Sequence, residues 1–200
     1  MRDYYLPGEE RFGFITSRMY FIAAQLPLLK KFYNFITDDM LKTRAKRILD
    51  VGTGPGDIPL ALARLSRVKR KIYAIDPSSE MVGIAKWHAG SDSKTIFSVG
   101  SSRHVPFAGK FDIIFTCASY HHWQDKAGSL KYLKRLLNKG GEIRIYESNR
   151  EKLNWLDRHI VAGHTLDLKP LYKTAGHAGL KISGTHRAGR YIRVSLKPKR

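Results

Sequence analysis

From residue 47 onward, short apolar runs alternate with stretches whose apolar residues recur every three or four positions. Ile48 to Val51, Ile72 to Ile75, Thr95 to Val99, Asp112 to Thr116 and Glu142 to Tyr146 are short and rich in Ile, Val, Phe and Tyr. These residue types fit a buried pleated surface, and the runs read as strands. Asp57 to Leu65 and Ser79 to His88 have helical spacing, with Pro59 tolerated in the first turn of the former. Asp125 is placed to cap a further helix carrying Leu130, Leu133, Leu136 and Leu137. Alternation of this kind requires a parallel sheet covered on both faces. The end differs: Leu180 to Ser183 and Tyr191 to Leu196, joined across Ala188-Gly189-Arg190, read as an antiparallel pair closing the sheet. Ahead of the first strand, residues 14 to 46 have a helical pattern. Ile15, Met19, Ile22, Ala23 and Leu26 form a stripe, Pro27 interrupts, and Leu28, Leu29, Phe32, Phe35 and Ile36 continue it. The expected fold is a three-layer α/β sandwich of seven mostly parallel strands. Residues 1–46 form an N-terminal helical cap, 47–200 form the core, and 1–200 make a single domain.

The chemistry concentrates where the first strand ends. Ile48-Leu49-Asp50-Val51 runs into Gly52-Thr53-Gly54-Pro55-Gly56-Asp57, and the second strand ends on Asp76, twenty residues after the last glycine. A strand, a glycine loop, a helix and a second strand ending in an acid describe a Rossmann-like nucleoside pocket at the carboxyl edge of a sheet. A dinucleotide fingerprint would put its third glycine at position 57, where this chain has Asp57. Asp50 would sit poorly beside a pyrophosphate and well beside an ammonium. S-adenosylmethionine (SAM) has an ammonium, a sulfonium and a ribose but no phosphate, so charge favours SAM over NAD.

These segments resemble the class I SAM-dependent methyltransferases. Ile48 to Gly56 is similar to that family's first motif, and Asp76-Pro77-Ser78-Ser79-Glu80-Met81 to its ribose-binding acid and following helix. Val105-Pro106-Phe107 with Phe111 to Phe115 is similar to the fourth strand and its approach, and Leu136 to Gly141 to the turn into the fifth. Tyr120-His121-His122-Trp123 resembles the segment after that fourth strand in the small-molecule branch, which includes the ubiquinone and menaquinone biosynthesis methyltransferases. The resemblance implies SAM as cofactor, held by Asp50, Gly52, Thr53, Gly54, Gly56, Asp76, Pro77 and Met81. Ser101, Ser102 and Cys117 are further expected cofactor neighbours. Gly100-Ser101-Ser102 falls where the family often has an acid for the adenine amino group, so the adenine contact is differently made here.

Methyl transfer needs alignment more than acid or base help, so sequence reveals the cofactor pocket better than any catalytic group. Tyr120, His121 and His122 are the candidates for a base, and Tyr20, Tyr120 and His121 for substrate contact; packing roles remain open for each. Arg18 and Tyr20 reach the site if their helix caps it. The two histidines are not expected to hold a metal, since adjacent side chains point apart and no third ligand has a matching spacing. Cys117 reads as a small buried neighbour of the ligand rather than a nucleophile. The strand end lacks the Asn/Asp-Pro-Pro-aromatic signature linked to exocyclic amines and glutamine amides. Ser148 to Lys169 is a short polar insertion in which Trp155, Ile160 and Leu166 could pack as a lid.

Charge changes the picture at one point. With 36 Lys+Arg against 17 Asp+Glu, the net charge is +19. Such a field could draw nucleic acid as well as small anionic substrates. No apolar run approaches the roughly 20 residues of a membrane span, and no signal-peptide layout or multi-cysteine site is present, so a cytoplasmic location is expected. The favoured function is methylation of a small molecule. RNA methylation and a SAM-binding role without transfer are the alternatives, and neither the acceptor nor the oligomeric state can be read.

Overall fold

The computed structural model describes residues 4–5, 13, 16–18, 21–22, 27–92, 94–149 and 165–199. Helix α1 (Pro27–Leu41) precedes β1 (Arg47–Val51), α2 (Asp57–Leu65), β2 (Lys71–Asp76), α3 (Ser79–Ala89), β3 (Thr95–Val99) and β4 (Phe111–Cys117). A single 3-10 turn (Tyr120–His122), α4 (Lys126–Arg135), β5 (Leu137–Asn149), β6 (Thr165–Leu166), α5 (Leu168–His177), β7 (Leu180–Ala188) and β8 (Tyr191–Pro198) follow. The sheet order is β3-β2-β1-β4-β5-β8-β7, with β6 pairing β5. β1 to β5 run parallel, and β8 lies antiparallel to both β5 and β7. The two-residue β6 is an eighth strand beyond the seven expected; it pairs in parallel with Ser148 and Asn149.

The alternation of side chains along each strand separates two cores. Leu49, Val51, Ile75, Ile114, Ile143 and Ile145 pack with Leu130 and Leu133 of α4 and Leu171 and Ala175 of α5. Ile48, Ile72, Ile113 and Phe115 point the other way, onto Phe32, Ile36 and Met40 of α1 and Ile58 and Leu62 of α2. Helix starts follow their caps: Ser78 accepts from the Met81 amide, Asp125 from Gly128 and Asp167 from Lys169.

Three boundaries depart from expectation. Helix α1 stops at Leu41 instead of continuing to residue 46: the Thr43 amide and hydroxyl both turn back onto the Met40 carbonyl, at 3.1 and 2.7 Å. The Arg70 guanidinium donates to the carbonyls of Met40 and Thr43. Leu136 and Leu137 leave α4: the first ends the helix, and the second opens β5 opposite Phe111. Strand β5 is correspondingly longer than the expected Glu142 to Tyr146. Trp155 and Ile160, part of the expected lid, lie outside the described residues, whereas Leu166 is buried in β6.

Candidate functional site

The chain runs outward from β1 to β3 and then returns to β4 on the other side of β1. At the carboxyl ends of β1 and β4 the loops therefore diverge, the place where open α/β sheets hold ligands. A cavity of about 380 Å³ opens there. Its wall combines the ends of β1, β2, β4 and β5 with Leu29, Phe32 and Tyr33 of α1, so the helix ahead of the first strand covers the pocket. Tyr5 also lines it. The neighbouring Tyr4 accepts a hydrogen bond from Arg103 at 3.0 Å through its carbonyl and stacks on His104.

The glycine loop is closed on itself. The amides of Gly52 and Thr53 donate to the Ile75 carbonyl at 2.9 and 3.0 Å, that of Gly54 to Asp76 Oδ2 at 2.9 Å, and that of Gly56 to the Thr53 carbonyl. Nothing in this run is left pointing at an anion, unlike a phosphate-binding loop. Gly52 has φ 79°, and a Cβ there would lie 2.2 Å from Ser119 Oγ, so the loops after β1 and β4 interlock at a position open to glycine alone.

Two carboxylates stand at the floor. Asp50 is 1% exposed; its Oδ2 accepts from Thr53 Oγ1 at 2.8 Å, and its buried Oδ1 has no hydrogen-bond partner among the described residues. Burial, helped by the neighbouring Asp76 charge and opposed by the Thr53 hydroxyl, pushes its pKa up to about 7. Asp76 accepts from the amides of Ser78 and Gly54, both at 2.9 Å. Burial raises its pKa to about 6 against the pull of those two bonds. A buried carboxylate with an oxygen to spare fits a cation, and SAM brings one as its ammonium.

Asp50, Gly52, Thr53, Gly54, Asp76, Pro77, Met81, Ser101, Ser102 and Cys117, all singled out from sequence, line the cavity together. Gly56 does not. It caps α2 with φ 84°, and a Cβ there would press on the Phe97 ring at 2.9 Å, so its task is packing. Tyr120 is also absent from the wall: it is buried edge-on to Trp123, and burial pushes its phenol up to about 12. His121 stands behind the wall, its Nδ1 3.2 Å from each oxygen of the buried Glu147, and His122 lines the cavity. The two imidazoles do not point apart as expected, because the tight 3-10 turn brings their rings to 3.9 Å. Among the described residues, no three His, Cys, Asp or Glu side chains gather as a metal set. The thiol of Cys117 is pushed well up by burial and by the charges of Asp50 and Glu147, which disfavours a thiolate nucleophile. Arg18 is exposed and absent from the wall, and Tyr20 lies outside the described residues.

Sequence reasoning missed Glu147, Asp57, Arg103, Ser119, Trp123 and Ser148. Asp57 was visible as the residue replacing a third glycine. Glu147 carries no local signal, since only the pairing of β4 with β5 brings it under His121. Ala118, also in the wall, takes φ 45°, a left-handed turn rare outside glycine that redirects the chain as it leaves β4.

Residues 49–145 match the family described as a methyltransferase domain. A ubiquinone/menaquinone biosynthesis C-methyltransferase of Geotalea daltonii is 31% identical over 62% of this chain and 54% of its own. The chain spans about half the length of the curated relatives it matches, 46% of one from Candida albicans, for example. In three dimensions, a SAM-dependent methyltransferase from Aquifex aeolicus superimposes with a TM-score of 0.73 at 19% identity, covering 93% of this chain and 98% of that one. The O-methyltransferase NcsB1 from neocarzinostatin biosynthesis, solved with S-adenosyl-L-homocysteine and 1,4-dihydroxy-2-naphthoic acid, gives 0.65 at 17% identity, covering 90% and 61%. The match over residues 49–145 and the sheet that carries it converge: this stretch of the chain matches a methyltransferase domain, and it has the fold of the SAM-dependent methyltransferases.

Proposed function

We propose that the chain transfers the methyl group of SAM to a small-molecule acceptor held in the same cavity. One observation carries this reading: two buried carboxylates flank a glycine loop whose amides are already spent, a floor built for a cation and a ribose. In this reading Asp50 takes the ammonium, Asp76 the ribose hydroxyls, and Met81, Ser101 and Ser102 stand along the adenine. SAM supplies a methyl carbon on positive sulfur, so holding the acceptor in line contributes most of what the protein must add. The aromatic wall of Phe32, Tyr33 and Trp123 suits a flat, largely apolar acceptor. His122 is the group placed to take a proton from a hydroxyl or carbon acid, with His121 and Glu147 behind it. The names of the quinone-pathway relatives and the naphthoic acid beside NcsB1 support the same acceptor class.

Residues 1–46 serve as the cap of a single unit with the core, a reading supported by the α1 side chains in the wall. No described helix is long and apolar enough to cross a membrane. We assign the chain to the cytoplasm, supported by its lone, buried cysteine. Nucleic acid as methyl acceptor has only the net charge of +19 behind it.

Calorimetric titration with SAM, S-adenosylhomocysteine and NAD tests the cofactor, and labelled SAM with quinol and naphthol acceptors tests the transfer. Binding of both sulfur nucleosides with NAD silent is expected. Silence from all three would sink the proposal.

A further inference from the structure

The opposite edge of the sheet carries a second concavity, of about 580 Å³, at the amino ends of β1, β2 and β3. Three neighbouring strands each bring a lysine to it: Lys46 just before β1, Lys71 opening β2 and Lys94 just before β3. The backbone fixes them as a row, since the Lys71 amide donates to the Lys46 carbonyl at 2.8 Å and the Ile72 amide to the Lys94 carbonyl at 3.1 Å. Strand spacing of about 4.8 Å makes that row roughly 10 Å long. The loop between α2 and β2 adds Arg67 and Lys69, and all five side chains are exposed. Arg70, in the same loop, is turned inward onto the carbonyls ending α1 and is not available.

No carboxylate lines this concavity among the described residues. Two acids stand close by: Asp112 accepts from the amides of Lys46 and Arg47 and from Asn138 and also attracts the Lys46 charge, and Asp92 accepts from the Lys94 amide. Five exposed cations share this hollow with Leu62, Ala63 and Val68 and form an extended positive trough, the Lys94 ammonium resting on the Ala63 carbonyl at 3.3 Å.

We propose that this trough grips the phosphate backbone of a single-stranded nucleic acid, as an anchor and not as methyl acceptor. The row of charges is linear, as a phosphate chain is, and the net charge of +19 adds long-range attraction for a polyanion. The site lies across the sheet from the cofactor cavity, so a strand held here leaves that cavity open to a small acceptor.

The test is fluorescence anisotropy of a labelled 20-nucleotide RNA against full-length protein, repeated across a salt series. The variant Lys46→Gln/Lys71→Gln/Lys94→Gln is compared with a control, Lys131→Gln/Arg135→Gln/Lys173→Gln, of equal charge loss on α4 and α5. The expected result is binding weakened about tenfold or more in the trough variant alone, with its salt slope reduced by about 2 for three lost phosphate contacts. SAM affinity, measured on the same preparations, stays unchanged and reports an intact fold. Equal losses in both variants, no RNA binding by wild type, or binding confined to phosphatidylserine vesicles would each overturn the proposal. A protein that binds RNA here but neither binds nor uses SAM would overturn the methyltransferase reading and leave this one standing.

Discussion

In the proposed site, Asp50 is costly to the empty protein and useful to the loaded one. With its carboxyl buried and its pKa near 7, a substantial fraction is protonated at neutral pH. A bound ammonium needs the ionised form, so SAM affinity should climb with pH as Asp50 gives up its proton. Between pH 5.5 and 8 we expect Kd to fall about thirtyfold. In Asp50→Asn, affinity should be weak and nearly flat over that range. Calorimetry at four pH values decides, and a wild-type profile as flat as that of the variant would remove the ammonium from Asp50.

At the level of elements, the helix that roofs the cavity is held by a buried carboxylate. Asp39 of α1 accepts from Arg144 at 2.7 Å, Tyr146 at 2.6 Å and Arg193 at 2.7 Å, tying the helix to β5 and β8. Burial alone would raise its pKa; the hydrogen bonds from Tyr146 and Arg193 and the charge of Arg144 outweigh that and hold it low. Phe32 and Phe35 stack on Tyr191 beside this cluster. Removing the anion from between two guanidinium groups should cost about 3–5 kcal/mol in Asp39→Ala. Denaturant unfolding measures this, and a loss below about 1 kcal/mol would mean that the aromatic contacts alone seat the helix.

Across the whole molecule the titrating acids pull in opposite directions. Asp39 and Asp112 are held low, so their contribution is present above pH 3.8 and is lost as pH falls through their folded values. Asp50 and Asp76 are raised, so theirs is full below pH 3.8 and is lost as pH rises through about 7 and about 6, respectively. Asp50→Asn should therefore stabilise the cofactor-free protein by about 2–4 kcal/mol at pH 8 and by much less at pH 5. A variant melting no higher than wild type at pH 8 would refute the strain. The strands and the helices between them were legible because each alternation is local, down to the bounds of α2 and β3. The gathering of these glycines and acids around one cavity was legible because glycine spacing and strand-end acids are written contiguously. The His121–Glu147 contact and the lysine row were not, since sheet pairing assembles them from residues remote in sequence. Asp39 belongs with these, and its bond to Arg193 spans 154 positions. During synthesis from the amino terminus, the roof helix is made before β1, yet its anchor is complete only once β8 has emerged. The nascent chain can form the glycine loop early, but its binding wall closes only after β8 is available, leaving the apolar face of α1 to be sheltered until then.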